Sequence, residues 1–269
     1  ILNGARYPKH RITTLIMEST YGAAEEERSN SWKKEFEIFC KKANKILETG
    51  GSILIPIFAL GKTQEILAGI NHHIEKGKLL NPIIYCGGIA NKIARVYDAN
   101  KYLVERNFKD LDLRKIEQNN IYDVTNKNDF FKKNGIVLAP GGMLDEHTFS
   151  YKIVRDFLQN ESCALFIVGY IDPESPGANL LNSKRGDKIK LAENEKLLEV
   201  KCSIEKFHFP SHSTKEELLE IVENLNPARV ILVHGDEQAV TNLGYNILKI
   251  FDEIKLHSTE IGKSIIILN

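Results

Sequence analysis

Short runs of uninterrupted apolar residues alternate with segments whose apolar positions recur every three or four residues, almost from one end of the chain to the other. A strand that is apolar at every position must be buried on both faces. Strands of that kind followed by amphipathic helices build a mainly parallel sheet covered on both sides. The expectation is therefore an α/β protein. Strands are predicted over residues 12–18, 52–58, 82–86, 121–125, 136–139 and 163–169. Residues 25–48 carry Trp32, Phe36, Phe39, Ala43 and Ile46 at steps of three and four, which predicts one apolar helix face. Thr49-Gly50-Gly51 stops that helix, and a second one runs from after Phe58 to about Ile74.

The texture changes after Gly169. Residues 171–186 are rich in Pro, Gly, Ser and Asn and read as a long loop. Two short strands are predicted at 187–191 and 197–203, then a helix at 214–225, an apolar strand at 229–234, a helix at 237–251 and a last strand at 264–268. A domain boundary falls near 200–210.

The chain has 269 residues, enough for one large or two ordinary domains. With 36 Lys+Arg against 36 Asp+Glu it has no net charge, which excludes a polybasic surface but not a local basic groove. At 42% hydrophobic and 27% charged it has the composition of a globular protein rather than a disordered one. No apolar run approaches the ~20 residues that span a bilayer, so no membrane partner is expected. The chain opens on Ile1-Leu2-Asn3-Gly4, without a signal peptide or an initiator Met, and so reads as a piece of something longer. Cys40, Cys86, Cys163 and Cys202 are far apart, which argues against a thiolate zinc site. Buried, reduced thiols in a cytoplasmic protein are the expectation.

Several tempting motifs carry no chemistry. Leu60-Gly61-Lys62-Thr63 resembles the end of a phosphate-binding loop, but the first glycine of that motif falls on Pro56. Gly87-Gly88 lacks the third glycine of a dinucleotide fingerprint and reads as a tight strand-to-helix turn. His72 and His73 cannot share a helix face and default to solvent. His10, His147, His208 and His257 have no partner at ligand spacing.

Two histidines stand apart. His212 lies just before a helix, where Ser213 and Glu216 fit a capping box. Helix N-termini with nearby hydroxyls favour anions. His234 ends an apolar strand, and in α/β sheets ligands gather at the carboxyl ends of strands. Glu18 ends another strand. An acid and two histidines brought together from such positions suggest a hydrolytic site.

In chain order, Glu18-Ser19-Thr20-Tyr21-Gly22, the stretch from Gly50 to Gly61, Ala139-Pro140-Gly141-Gly142-Met143-Leu144, Gly169-Tyr170 with Ser175-Pro176-Gly177, the loop from Phe209 to Thr214, and Val233-His234-Gly235-Asp236 resemble six motifs of one family. It is the β-CASP branch of the metallo-β-lactamase superfamily, RNA-processing nucleases that include the cleavage-and-polyadenylation endonuclease and ribonuclease J. The resemblance implies a β-CASP domain at 24–207. It also implies the end of an N-terminal metallo-β-lactamase segment at 1–23 and its C-terminal segment at 208–269, parts of a split αββα domain.

By the same resemblance, His212 is the general acid for the leaving oxygen, Glu18 orients it by a hydrogen bond, and His234 is a ligand of one of two zinc ions. Ser211, Ser213 and Thr214 would bind a substrate phosphate, Thr214 standing where the family has Asp. The family's HxHxDH motif and its other zinc ligands are not present here. The expectation is a fragment of a zinc-dependent ribonuclease, inactive alone, that needs a missing N-terminal half-domain. Ile231, Val233, Ile265 and Ile267 are then expected to lack cover, inviting a homodimer. The rival readings are a non-catalytic RNA-binding or scaffold member and a DNA-acting nuclease of the same fold; histidine at position 234 favours RNA.

Overall fold

The computed structural model describes residues 2, 4, 6–8, 10, 12–23, 31–131, 134–169, 171–172 and 175–267. In order, its elements are β1 (Thr14–Glu18), α1 (Trp32–Glu48), β2 (Ile53–Ile57), α2 (Lys62–Glu75), β3 (Ile83–Cys86), α3 (Ile89–Ala99), β4 (Asn119–Asn120), β5 (Gly135–Pro140) and α4 (Phe149–Leu158). Then follow β6 (Ala164–Ile167), α5 (Ala178–Leu181), β7 (Lys188–Ile189), β8 (Leu198–Glu199), β9 (Ser203–Lys206), α6 (Lys215–Leu225), β10 (Arg229–Val233), α7 (Glu237–Ile250) and β11 (Lys255–Ser258). The chain divides into two compact units, one mainly Asn30–Ser211 and the other Gly4–Ser29 with His212–Asn269.

The larger unit is an α/β layer structure. Its six-stranded sheet has the order β4-β3-β5-β2-β6-β9 and every pairing in it is parallel. The central strand β2 is buried at all five positions, as its unbroken Ile-Leu-Ile-Pro-Ile run requires. Ile53, Ile55 and Ile57 face a core shared with α1, α2 and α3, while Leu54 faces a second core with Tyr151, Val154 and Phe157 of α4. Before β2 the chain passes so close to the Ser162 carbonyl that a side chain at Gly51 would strike it. A separate antiparallel pair joins β7 to β8.

An aromatic cluster fixes the path out of this unit. Phe39 of α1 contacts Phe36, Phe166, Phe207 and Phe209, all of them buried. Glu35 accepts the His208 N–H at 2.7 Å, and the buried Lys62 ammonium donates to the Phe209 carbonyl at 2.6 Å. The lysine of the false phosphate loop is thus a structural strut, also paired with Glu65.

The smaller unit is a three-stranded parallel sheet, β1-β10-β11. Met17, Val230 and Leu232 meet Leu218 and Val222 of α6 and Leu243 and Ile247 of α7 in its core. The uncovered face expected here is only partly present. Ile231, on the central strand, is 5% exposed, and Val233 and Ile265 are half-buried; Ile267, at 40%, is exposed. Ile16, paired with Ile231 in register but on the edge strand, is 63% exposed.

Several strand expectations are corrected. Residues 121–125 are not a strand: Asn120 accepts the Tyr122 N–H and the chain turns through a 3₁₀ element at Ile121–Asp123. The predicted strand at 197–203 resolves into β8 and, beyond it, β9. This second strand bears Glu205 and Lys206 because it is a sheet edge, where Lys42 pairs Glu205 at 2.7 Å. Residues 264–267 form no strand, and the polar segment Lys255–Ser258 takes the edge position instead. The predicted loop at 171–186 contains the short helix α5. Helix α1 begins at Trp32 with Ser31 as its cap, and the predicted start at 25–30 lies outside the described residues.

All four cysteines are buried and unpaired. Burial pushes the Cys40 and Cys202 thiols up to about 12 and that of Cys86 to about 11, so they behave as apolar core residues. Among the described residues no helix is long and apolar enough to cross a membrane.

Candidate active site

The smaller unit gathers the three singled-out residues at one sheet edge. Strands β1 and β10 run parallel with Glu18 opposite Val233, so both carboxyl ends point the same way. His234 follows directly in a left-handed backbone conformation, φ 51°, which costs a non-glycine residue ~1–2 kcal/mol. Its carbonyl is held by the Ser19 N–H at 3.3 Å and the Thr20 hydroxyl at 3.1 Å. Ser19 is fully buried and its hydroxyl donates to the Val233 carbonyl at 2.9 Å. The chain can pass this point only because residue 235 is glycine, since a Cβ there would sit 2.6 Å from Ser19 Oγ.

His212 arrives from the loop ahead of α6. Its ring stacks on that of His234, with centroids 5.1 Å apart and planes 21° off parallel. Tyr21 presents its ring edge-on to His212 at 6.2 Å. His212 Nδ1 lies 3.4 Å from Glu18 Oε2, longer than the expected hydrogen bond. That carboxylate oxygen instead accepts the Thr20 N–H at 2.7 Å. Thr20 Oγ1 lies 3.3 Å from His212 Nδ1 and 3.0 Å from His234 Nδ1. One donor atom from each of Glu18, His212 and His234 falls within 4.8 Å of the others. Glu18 and His212 are half-buried and His234 is exposed. This is a site open to a ligand on one side and braced by β1 on the other.

Nitrogen and carboxylate oxygen donors are the set zinc accepts. The trio therefore suits a metal in donor type, with His234 the most accessible member. It is too small to close a two-metal site, which needs three or more protein ligands per ion.

The hydroxyls fall differently from expectation. Thr214, not Ser213, caps α6: its hydroxyl accepts the Glu217 N–H and Glu217 returns a bond to the Thr214 N–H. The box is therefore shifted one residue along. Ser211 is exposed and Ser213 half-buried. Asp236 caps α7 by accepting from Ala239 N at 2.6 Å. Of the other histidines, His73 is buried against Phe36 rather than solvent-exposed, its Nδ1 bonded to the Gly69 carbonyl, and His72 is half-buried. His10 and His147 are exposed, and His208 and His257 are half-buried; none joins the cluster. Tyr170 lies outside the described residues. Thr20 and Ser19 were missed in the sequence as separate participants, because a hydroxyl at a strand end looks like any turn residue.

The acid and two histidines at the carboxyl edge of this parallel sheet are a donor set of the type that metal ions accept. Residues 63–180 match the Beta-Casp domain, and residues 197–253 match the Zn-dependent metallo-hydrolase RNA specificity domain. The chain belongs to the β-CASP family of metallo-β-lactamase-fold proteins. It is similar to Probable RNase MJ4 of Methanocaldococcus jannaschii, 30% identical over 246 residues that cover 88% of this chain and 53% of that protein. It is also similar to Integrator complex subunit 11 of Gallus gallus (29% over 253 residues, 91% and 40%) and Endoribonuclease YSH1 of Kluyveromyces lactis (27% over 272 residues, 97% and 35%). The chain thus spans about half the length of the first relative and well under half of the other two.

Proposed function

We propose that this chain is the β-CASP domain (24–207) and the flanking metallo-β-lactamase segments (1–23 and 208–269) of a zinc-dependent ribonuclease that hydrolyses RNA phosphodiester bonds in the cytoplasm. The observation that carries the reading is the convergence of Glu18, His212 and His234 to within 4.8 Å at one strand edge. An RNA substrate is supported by the match of residues 197–253 to an RNA specificity domain.

In this reading His212 gives a proton to the departing ribose oxygen from the ring edge remote from Glu18. Glu18, 3.4 Å from Nδ1 on the other edge, orients the ring. His234 supplies one ligand to a two-zinc centre. Zinc, when bound, activates water and neutralises charge on the phosphodiester. The remaining ligands come from the part of the family's polypeptide that this chain does not span. The exposed Ile16 and Ile266 give that part, or a second copy of the chain, an apolar surface to pack on.

The chain by itself is then expected to keep no stoichiometric zinc after dialysis and to leave a labelled RNA intact. Metal analysis and a cleavage assay check both. Tightly held zinc with turnover would show that the ligand set is complete without further sequence.

Ser211, Ser213 and Thr214 bind a substrate phosphate at the start of α6, where partial positive charge favours anions. Thr214→Asp is a clean probe, because Asp caps helices as well as Thr does and adds a charge that the helix N-terminus tolerates. In the complete nuclease this substitution should weaken use of 5′-monophosphorylated RNA more than cleavage at internal sites. Equal losses on both substrates would refute recognition of the RNA end.

A further inference from the structure

Thr20 stands where three polar atoms converge on a single hydroxyl. Its Oγ1 is 3.1 Å from the His234 carbonyl, 3.0 Å from His234 Nδ1 and 3.3 Å from His212 Nδ1. A hydroxyl has one proton to give and two lone pairs to receive with, whereas a carbonyl oxygen can only accept. When the proton goes to the carbonyl, both ring nitrogens facing Oγ1 must be donors.

The surroundings of His212 agree with that arrangement. The other atom near its Nδ1 is Glu18 Oε2, at 3.4 Å, and an ionised carboxylate also only accepts. The same carboxylate oxygen is fixed by the Thr20 backbone N–H at 2.7 Å, so residue 20 orients the acid as well. His234 reaches the site on a left-handed backbone whose carbonyl carries two donors, Ser19 N–H and the Thr20 hydroxyl. Holding that carbonyl and receiving the ring proton of the same residue fixes both the backbone and the ring of His234.

We propose that Thr20 is a positioning residue that sets the tautomer of both neutral histidines: it gives its proton to the His234 carbonyl and accepts N–H from both Nδ1 atoms, leaving Nε2 of His234 bare as a ligand atom and Nε2 of His212 as the atom that must take up a proton before it can deliver one. A bare Nε2 is the form in which a neutral imidazole binds zinc, and ligating histidines usually donate their other N–H to a fixed acceptor. The link to zinc rests on the function proposed above. The tautomer assignment does not, since it concerns this chain without metal.

The test is long-range ¹⁵N–¹H NMR on the 269-residue chain labelled at histidine and kept free of metal, at a pH where the rings are neutral. His212→Gln and His234→Gln assign the two ring spin systems. The wild-type chain should show the proton on Nδ1 in both rings. Thr20→Val should move it to Nε2 in His234, and Thr20→Ser, which keeps the hydroxyl, should leave it on Nδ1. An Nε2–H tautomer at His234 in the wild type overturns the proposal whatever the variants do, so a failure of Thr20→Val to fold would not shelter it. An unchanged Nδ1–H in a folded Thr20→Val chain overturns it equally. Absence of nuclease activity in the complete protein, with these tautomers observed, would sink the function proposed above and leave the role of Thr20 standing.

Discussion

Replacing His212 by alanine in the complete protein, a ribonuclease on the reading proposed above, is expected to lower RNA cleavage by ~10²–10⁴-fold, the usual contribution of a positioned general acid. RNA binding should stay nearly unchanged, because the loss falls on a proton transfer made only in the transition state. The expectation rests on the closeness of the His212 ring to Glu18 at 3.4 Å and to His234 through stacking at 5.1 Å. A second variant separates acid chemistry from metal loss: His234→Ala should release metal, whereas His212→Ala should retain it. The readouts are single-turnover cleavage rates and metal content after dialysis. Full activity in a metal-replete His212→Ala protein would end its assignment as the acid.

The second large effect is on stability. Phe39→Ala should destabilise the larger unit by ~3–5 kcal/mol, as expected when a buried phenyl ring is deleted and its neighbours collapse only in part. Phe39 is fully buried and lies 5.1–5.3 Å, ring to ring, from Phe36, Phe166 and Phe207. Trp32 is the only tryptophan of the chain and packs on Phe36 at 4.5 Å, so its fluorescence reports this unit. A thermal transition followed by Trp32 should fall by about 10 °C, at ~2–4 °C per kcal/mol for a unit of this size. Far-ultraviolet circular dichroism should show a part of the unfolding, that of the smaller unit, left in place. A shift below ~1 kcal/mol would mean that this aromatic cluster is not the packed core the structure shows.

These two effects divide between what was legible in the chain and what was not. The unbroken apolar run of β2 demands burial on both faces, and the spacing of Phe36, Phe39 and Ala43 demands one apolar helix face. The parallel sheet and its flanking helices therefore follow from local pattern. The same logic misjudged the edges. Strands β9 and β11 carry Glu205, Lys206, Lys255 and His257, because an edge strand needs ladder bonds on one side only and can send charge to water. Residues 121–125 look like a strand by apolar content, but Asn120 offers its side chain to the backbone and closes a turn instead.

The candidate site shows the same division. Glu18, His212 and His234 could be singled out from the sequence, because acids and histidines at strand and helix ends are conspicuous and six ordered motifs set them in a family. Their mutual geometry could not, since it depends on which strands pair. Only the parallel register of Glu18 against Val233 brings a residue near one end of the chain beside one near the other. The position of the helix cap, Thr214 rather than Ser213, was undecidable from sequence because both hydroxyls have a glutamate three residues on. Thr20 was invisible for a deeper reason. A hydroxyl acquires a role only from the atoms around it, and its three partners, two ring nitrogens and a carbonyl, are supplied by the fold.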